Sequence, residues 1–335
     1  MTKTMRAVQY SGYGGGAAAL KHVEIPVPTV KKDYVLIKVE AVSINPLDWK
    51  IQDGYVKHIL PPRFPHIPGT DVSGEVVSVG HGVTTFAPGD KVVGCLGTFG
   101  GGLAEYALAH ISTIAKRPSG VTALDGACLG EAAFSALQSV RDWAGVQLNG
   151  SKPKVPMNVL ITGAGGGVGT FAVQLAKLGG VHVTATCGDD ARQMELVKSL
   201  GADEVLDSKT AEGESLESPS GKKYDTVIQC GEYMPFAHFK PQLSPTGKVI
   251  DLAPSPKSML SSATSLASFS KQKCVPFVSS TNSTDYYFLF SLMQQKKLKT
   301  VIDSQFPLSQ AEKAWAASMT GHVTGKVIVT CTEHS

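Results

Sequence analysis

The sequence predicts an α/β fold of two units, a barrel-like β-rich domain and a doubly wound parallel sheet, and three observations carry that prediction. At 335 residues the chain is too long for one typical core and comfortable for two. From Val35 to Asp90 short β-rich runs alternate with Pro/Gly turns, whereas from Met157 to about Val278 apolar strands alternate with helical segments. Hydrophobic residues make up 42% of the chain and charged ones 18%, with 35 glycines, which supplies two cores and many tight turns and argues against disorder.

In the first third the runs VLIKVEAVS and DVSGEVVSV read as strands, punctuated by turns at Pro68-Gly69 and Pro88-Gly89-Asp90, and little helix is expected there. Thr122, with Asp125 three residues on, resembles a capping box and leads into an Ala-rich helical run to about Val146, which puts a domain boundary near residue 125. Residues 126–280 carry the strands MNVLIT, VHVTAT, TVIQC, VIDL and CVPFV, with helices through FAVQLAKL and ARQMELVKSL. Strand, helix, strand at this rhythm means βαβ units. After Thr281 two helical stretches, YYFLFSLMQQKK and QAEKAWAAS, and a last strand, GKVIVT, break the alternation, so residues 281–335 are assigned with 1–125 to the first domain. The Ser-rich segments at Glu214–Ser220 and Pro254–Ser270 read as surface loops or a mobile cover.

A formal charge of +3, with scattered basic residues, gives no phosphate-tracking face, so the expected partner is a small molecule and not nucleic acid. Cys95, Cys128, Cys187, Cys230, Cys274 and Cys331 lie far apart and read as free thiols in a reducing compartment. The N-terminus MTKTMRAVQYSGYGGG has neither an apolar h-region nor transit-peptide composition. No stretch approaches the roughly 18 apolar residues of a membrane span, so composition points to a soluble, cytoplasmic protein, with peripheral membrane association left open.

The chemistry is concentrated in GAGGGVG, directly after MNVLIT and directly before a helix, with Gly163, Gly166 and Gly169 at intervals of three. Glycines at such a turn let the backbone approach a pyrophosphate, whose charge meets free N–H groups and the positive end of the helix dipole. This predicts dinucleotide binding, with Gly167 and Val168 at the helix start as further contacts. Nicotinamide choice is decided after the second strand, which ends at Thr186-Cys187-Gly188. Asp189 and Asp190 there can take the ribose 2′-OH of NADH, or serve only as helix caps. Arg192, helped by Ser208 and Lys209 from the next strand end, favours the 2′-phosphate of NADPH.

IPGTDVSGEVVSVG, FAPGDKV, GGLAEY, the glycine turn joined to FAVQLAKLGG, and HVTGKVIV together resemble the medium-chain dehydrogenase/reductase superfamily, specifically its zinc-independent quinone oxidoreductase branch. YGGGAA, NPLDWKIQ and KSLGADEVLD look closest to the plant chloroplast-envelope members. The resemblance spans essentially the whole chain. It implies a GroES-like catalytic domain, a Rossmann domain, NADPH, and reduction of α,β-unsaturated carbonyls (enones) or quinones. It also implies a possible homodimer and a chloroplast envelope or stroma location. Zinc-dependent relatives carry Gly-His-Glu where this chain has Gly69-Thr70-Asp71, and their four-cysteine lobe is missing, so no metal is expected. His66 and His110 then read as ordinary turn or surface histidines.

By the same resemblance SINPLDWKIQDG places Asn45, Asp48 and Lys50 beside nicotinamide and substrate, and LGEAAFSAL places Ser135 at the nicotinamide. In LGEAAFSAL, Gly130 stands for the branch's Pro and Glu131 for a small apolar residue. A carboxylate there is either an acid or base in an apolar pocket or a charge resting on a helix N-terminus. Cys230, Gly231, Leu252 and Ala253 fall at carboxyl ends of parallel strands and read as cofactor walls. Tyr286, Tyr287 and Phe288 line a substrate mouth or belong to the core. The alternatives are a specialised-metabolite reductase or redox-neutral isomerase using Glu131, or a low-turnover NADPH-binding protein.

Overall fold

The computed structural model describes residues 3–58, 61–97, 100–151, 153–188, 190–252, 259, 262 and 270–331. Asp189, Ala253 and most of the Ser-rich run 254–270 lie outside the described residues. The chain divides into two compact units, Met1–Ala132 with Thr281–Lys296 and Ile302–Ser335, and Ala133–Ser280 with Lys297–Val301.

The first unit is built on a seven-stranded sheet. The long strand Tyr34–Ile44 pairs antiparallel with Asp71–Val79, with Tyr106–His110 and with the C-terminal strand Lys326–Thr330. Val35, Ile37, Val39, Val42, Val72, Val76, Val327 and Val329 alternate inward along these strands and form one core. Helix Ala311–Met319 drives the fully buried Trp315 into that core, where its Nε1 donates to Gln52 Oε1 at 3.0 Å. Gln52 Nε2 in turn donates to the Gly16 carbonyl at 3.0 Å.

The expected boundary near residue 125 moves to Ala132, for a physical reason. Helix Ala123–Ala127, capped by Thr122 as anticipated, packs on the first unit's strands. The Ala-rich run is also not one helix: it breaks over residues 128–130, restarts as Glu131–Gln138, and runs into a π-helical turn at Ser139–Trp143. Lys299 joins the second unit because the Gln174 side chain bonds both its N–H (2.9 Å) and its carbonyl (3.0 Å).

The second unit is a six-stranded, all-parallel sheet. Its spatial order is Glu204–Asp207, His182–Cys187, Asn158–Thr162, Tyr224–Gln229, Leu243–Asp251, Lys273–Pro276. Numbered along the chain, that order is third, second, first, fourth, fifth, sixth, so it reverses between Asn158–Thr162 and Tyr224–Gln229. The Ser-rich 214–220 segment is only partly a surface loop: Ser218 is buried, and it joins Ser220 and Thr184 in donating to Glu204. Those bonds hold the Glu204 carboxyl down to about 2 against the opposing effect of its burial.

Replacing Trp315 by Phe removes a buried N–H donor and leaves Gln52 without its partner; urea unfolding is expected to show a loss of roughly 1–3 kcal/mol.

Candidate active site

In the second unit the glycine turn sits where the strand order reverses, the position at which open α/β sheets bind ligands. Gly163 has φ 61°, in the left-handed region, and a Cβ on it would stand 2.6 Å from Gly231 Cα. The two strand ends flanking the reversal therefore touch backbone to backbone. A Cβ on Gly169 would overlap the Gly163 carbonyl and Ala164, so helix Gly167–Leu178 packs straight onto the turn. Its N-cap, Gly166, has no side chain to cap the first-turn amides, and no acidic residue follows in that turn. Gly166, Gly167 and Val168 are half-buried, which leaves a positive helix end with backbone donors for an anion. At the adjoining strand ends Thr162 Oγ1 and Gln229 Nε2 are buried with no hydrogen-bond partner among the described residues, as expected of groups lining a ligand crevice. Neither was singled out by sequence, because a polar residue inside an apolar strand carries no periodic signal. This cradle fits a dinucleotide.

Around the next strand end the candidates separate. Asp190 caps helix Ala191–Ser199, its Oδ1 accepting the Arg192 N–H at 2.9 Å. Arg192, Ser208 and Lys209 are exposed, and the Ser208 N–H donates to the Cys187 carbonyl at 2.8 Å. Burial, with the charges of Asp207 and Asp190, pushes the Cys187 thiol up to about 11, so its side chain is core and its backbone is what faces the loop. Burial likewise raises the Cys230 thiol. The Leu252 N–H donates to the Gln229 carbonyl at 3.2 Å beside the crevice. Ser135 Oγ bonds Ser279 Oγ at 3.3 Å, inside the same unit.

The first unit holds a second cluster, organised by Asp71. Its fully buried carboxylate accepts from Ser43 Oγ (3.2 Å) and Asn45 Nδ2 (2.9 Å). Both its oxygens accept from the Glu131 N–H, at 3.0 and 3.1 Å. Asn45 is spent on this network: Nδ2 also donates to Thr70 Oγ1 at 2.9 Å, and Oδ1 accepts from the buried ammonium of Lys326. Asp48, three residues on, accepts from the Asn45 N–H (2.7 Å) and the Gly69 N–H (3.2 Å), starting helix Pro46–Gln52. Burial pushes its carboxyl up to about 7; the Asn45 and Gly69 amides and the Lys326 charge oppose this, and the Asp71 charge adds to it.

The Lys50 ammonium lies 5.7 Å from the Trp49 ring centre and 5.9 Å from that of Tyr55. The Glu131 N–H joins this network, and the Asp71 carboxylate rests on its helix start. A Cβ at position 130 would overlap that carboxylate, which is why Gly130 stands here. His66 is a correction to the sequence reading: it is buried against Tyr10, and burial lowers it to about 4, so it is a neutral core histidine. Tyr286 is fully buried, whereas Tyr287 is 51% exposed. Thr70 and Lys326 were missed as site residues, because a threonine in a turn and a lysine opening a strand look ordinary until the fold buries them together.

Residues 31–119 match the alcohol dehydrogenase GroES-like domain, and residues 200–329 match the zinc-binding dehydrogenase domain. The chain is 55% identical over 328 residues to the chloroplastic quinone-oxidoreductase QR1 of Triphysaria versicolor, covering 98% of each chain. It is 53% identical, with the same coverage, to the chloroplast envelope quinone oxidoreductase homolog of Arabidopsis thaliana. The chain belongs to the quinone oxidoreductase family of medium-chain dehydrogenase/reductases. As a family member it is an oxidoreductase, and the family implies a nicotinamide cofactor. The quinone oxidoreductase of Coxiella burnetii shares its fold at a TM-score of 0.86, with 29% identity over 98% of this chain and 100% of that one. One matching domain model is named for zinc, yet among the described residues no three His, Cys, Asp or Glu side chains are grouped to hold a metal ion.

Gly130→Ala is expected to cost about 2–4 kcal/mol in urea unfolding, because the methyl group must displace Asp71 from the Glu131 amide. For Asp48, native proton affinity lies above that of the unfolded chain, so its contribution to stability is full below about pH 4 and is lost as pH rises through 7. Melting curves of Asp48→Asn against wild type are therefore expected to shift in favour of the variant between pH 5 and 8, as that wild-type contribution disappears.

Proposed function

We propose that the protein is a zinc-independent, NADPH-dependent reductase of the carbon–carbon double bond of enones, or of quinones. The observation that carries the cofactor choice is at the ribose end of the second unit: Asp190 is committed to capping its helix, while Arg192, Ser208 and Lys209 stand exposed around the same strand ends. A carboxylate aimed at the ribose favours NADH; cationic and hydroxyl donors favour a 2′-phosphate. The bound cofactor would supply the hydride.

The chain's own part is to bind and orient. The Gly166–Gly169 helix start holds the pyrophosphate, with Gly163, Cys230, Gly231 and Leu252 as the wall and Ser135 at the nicotinamide. Asn45 and Asp48 keep the first-unit cluster rigid, and Lys50, held over two rings, is the donor offered to an acceptor oxygen as it gains charge. Glu131 contributes by seating its helix start on Asp71. The Lys326 ammonium, buried two hydrogen bonds from the cluster's carboxylate through Asn45, supports a reaction without zinc, since positive charge is already built in there.

The names of the plant relatives support a chloroplast location, envelope or stroma. No helix among the described residues is long and apolar enough to cross a membrane, so envelope attachment would be peripheral. A homodimer belongs to the same reading.

Purified protein mixed with NADPH or NADH and a panel of enones, unsaturated aldehydes and quinones is followed at the reduced-nicotinamide absorbance band. Enone- or quinone-dependent loss with kcat/KM for NADPH at least about tenfold above NADH, roughly 1.4 kcal/mol, is the expected result, and Arg192→Ala narrows the gap. Tight NADPH binding without oxidation by any member of the panel would overturn the reductase in favour of a low-turnover binding protein.

A further inference from the structure

The chain enters or leaves the second unit at Ala133, at Ser280 and at both ends of Lys297–Val301. Two of these passages are held by the same device, a buried glutamine whose carboxamide bonds both the N–H and the carbonyl of one residue. Gln138 Nε2 donates to the Ser280 carbonyl at 2.7 Å, and its Oε1 accepts the Ser280 N–H at 3.0 Å. Gln174 treats Lys299 in the same way, at 3.0 and 2.9 Å. A carboxamide carries a donor and an acceptor side by side, so it meets a backbone residue as a neighbouring strand would, without charge.

Gln174 also touches the cofactor cradle through its own helix. It lies on Gly167–Leu178, whose first turn is the phosphate end of the glycine turn. Its Nε2 donates to the Thr170 carbonyl at 2.8 Å as well as to Lys299, and Thr170 Oγ1 donates to the Gly167 carbonyl at 3.2 Å. Gly167, Thr170 and Gln174 follow one another along a single helix face. Hydrogen bonds therefore run without a gap from the first helical residue of the cradle to a segment by which the chain leaves the unit. The cradle end of this run is its least secured part, because Gly166 supplies no side-chain cap and helix ends open before helix middles.

We propose that Gln174 relays cofactor occupancy to Lys297–Val301. A pyrophosphate seated on the amides of the first turn steadies the Gly167 and Thr170 carbonyls. The Gln174 carboxamide, which holds Thr170 and Lys299 at once, then releases Lys299 less often. In the cofactor-free protein the first turn opens, Thr170 parts from Gln174, and the clamp on Lys299 opens with it. The relay rests on the dinucleotide reading of the cradle and not on the choice between NADPH and NADH.

Hydrogen exchange followed by mass spectrometry reads the clamp directly, because the Lys299 N–H is the hydrogen that Gln174 Oε1 holds. Wild type, Gln174→Leu and Gln174→Met, each checked by thermal melting, are compared without cofactor and with saturating NADPH or NADH. In wild type the cofactor is expected to slow exchange in peptides covering 163–170 and 297–302 by about fivefold or more. In each variant that folds, the peptide over 163–170 should keep its slowing, while the one over 297–302 exchanges fast and equally with and without cofactor. A clamp that is only structural leaves 297–302 exchanging alike in free and loaded wild type, and that result overturns the relay while the dinucleotide reading stands. Equal slowing at 297–302 in wild type and variants overturns it as well. If neither dinucleotide slows exchange at 163–170 in wild type, the cradle reading itself falls and the relay with it.

Discussion

A carboxylate taken out of water must have its charge met by donors, and in the first unit that requirement falls on Asp71. Ser43, Asn45 and the Glu131 amide surround it, with the Lys326 ammonium one hydrogen bond further out through Asn45. Breaking such an arrangement by removing one partner costs several kcal/mol, far more than its net contribution when intact, so each member constrains the others. The constraint explains details that look unrelated along the chain. Residue 130 must lack a Cβ, the Ala-rich run must break and restart at Glu131, the C-terminal strand must open on a lysine, and Asn45 must use both ends of its amide internally. Two distant segments, at Ser43–Asn45 and Glu131, are tied directly to one oxygen pair, and a third, at Lys326, through Asn45.

The second unit depends on a different constraint, close approach of backbone. Gly163 against Gly231 and Gly169 against the turn are two contacts that no side chain would permit. Together they bring a helix N-terminus free of side-chain caps to the point where the strand order reverses. A side-chain cap would spend those amides internally, and Gly166 supplies none.

Much of this was legible in the residues. The glycine spacing between an apolar strand and a helix announced the cradle, and the change from Pro/Gly-punctuated β runs to strand–helix alternation announced two different units. The Thr122 cap was equally plain. Local signals of this kind survive because turn chemistry and periodicity act within a few residues. His66 was misjudged, since nothing near it in sequence reports that Tyr10 packs on its ring. Glu131 stands out in the sequence as a carboxylate; that its amide seats on Asp71 is visible only in the fold.

By itself the sequence determined the fold class, the dinucleotide turn and the family, because those depend on composition, periodicity and short motifs that act locally. Only the tertiary structure decided which polar groups are committed and which remain available to a ligand: Asp190 to its cap, and Asn45 to Asp71 and Lys326. A side chain's availability is set by what the fold places within 3 Å or so of it, and burial then fixes how strongly each pairing binds; neither is written in the neighbouring residues.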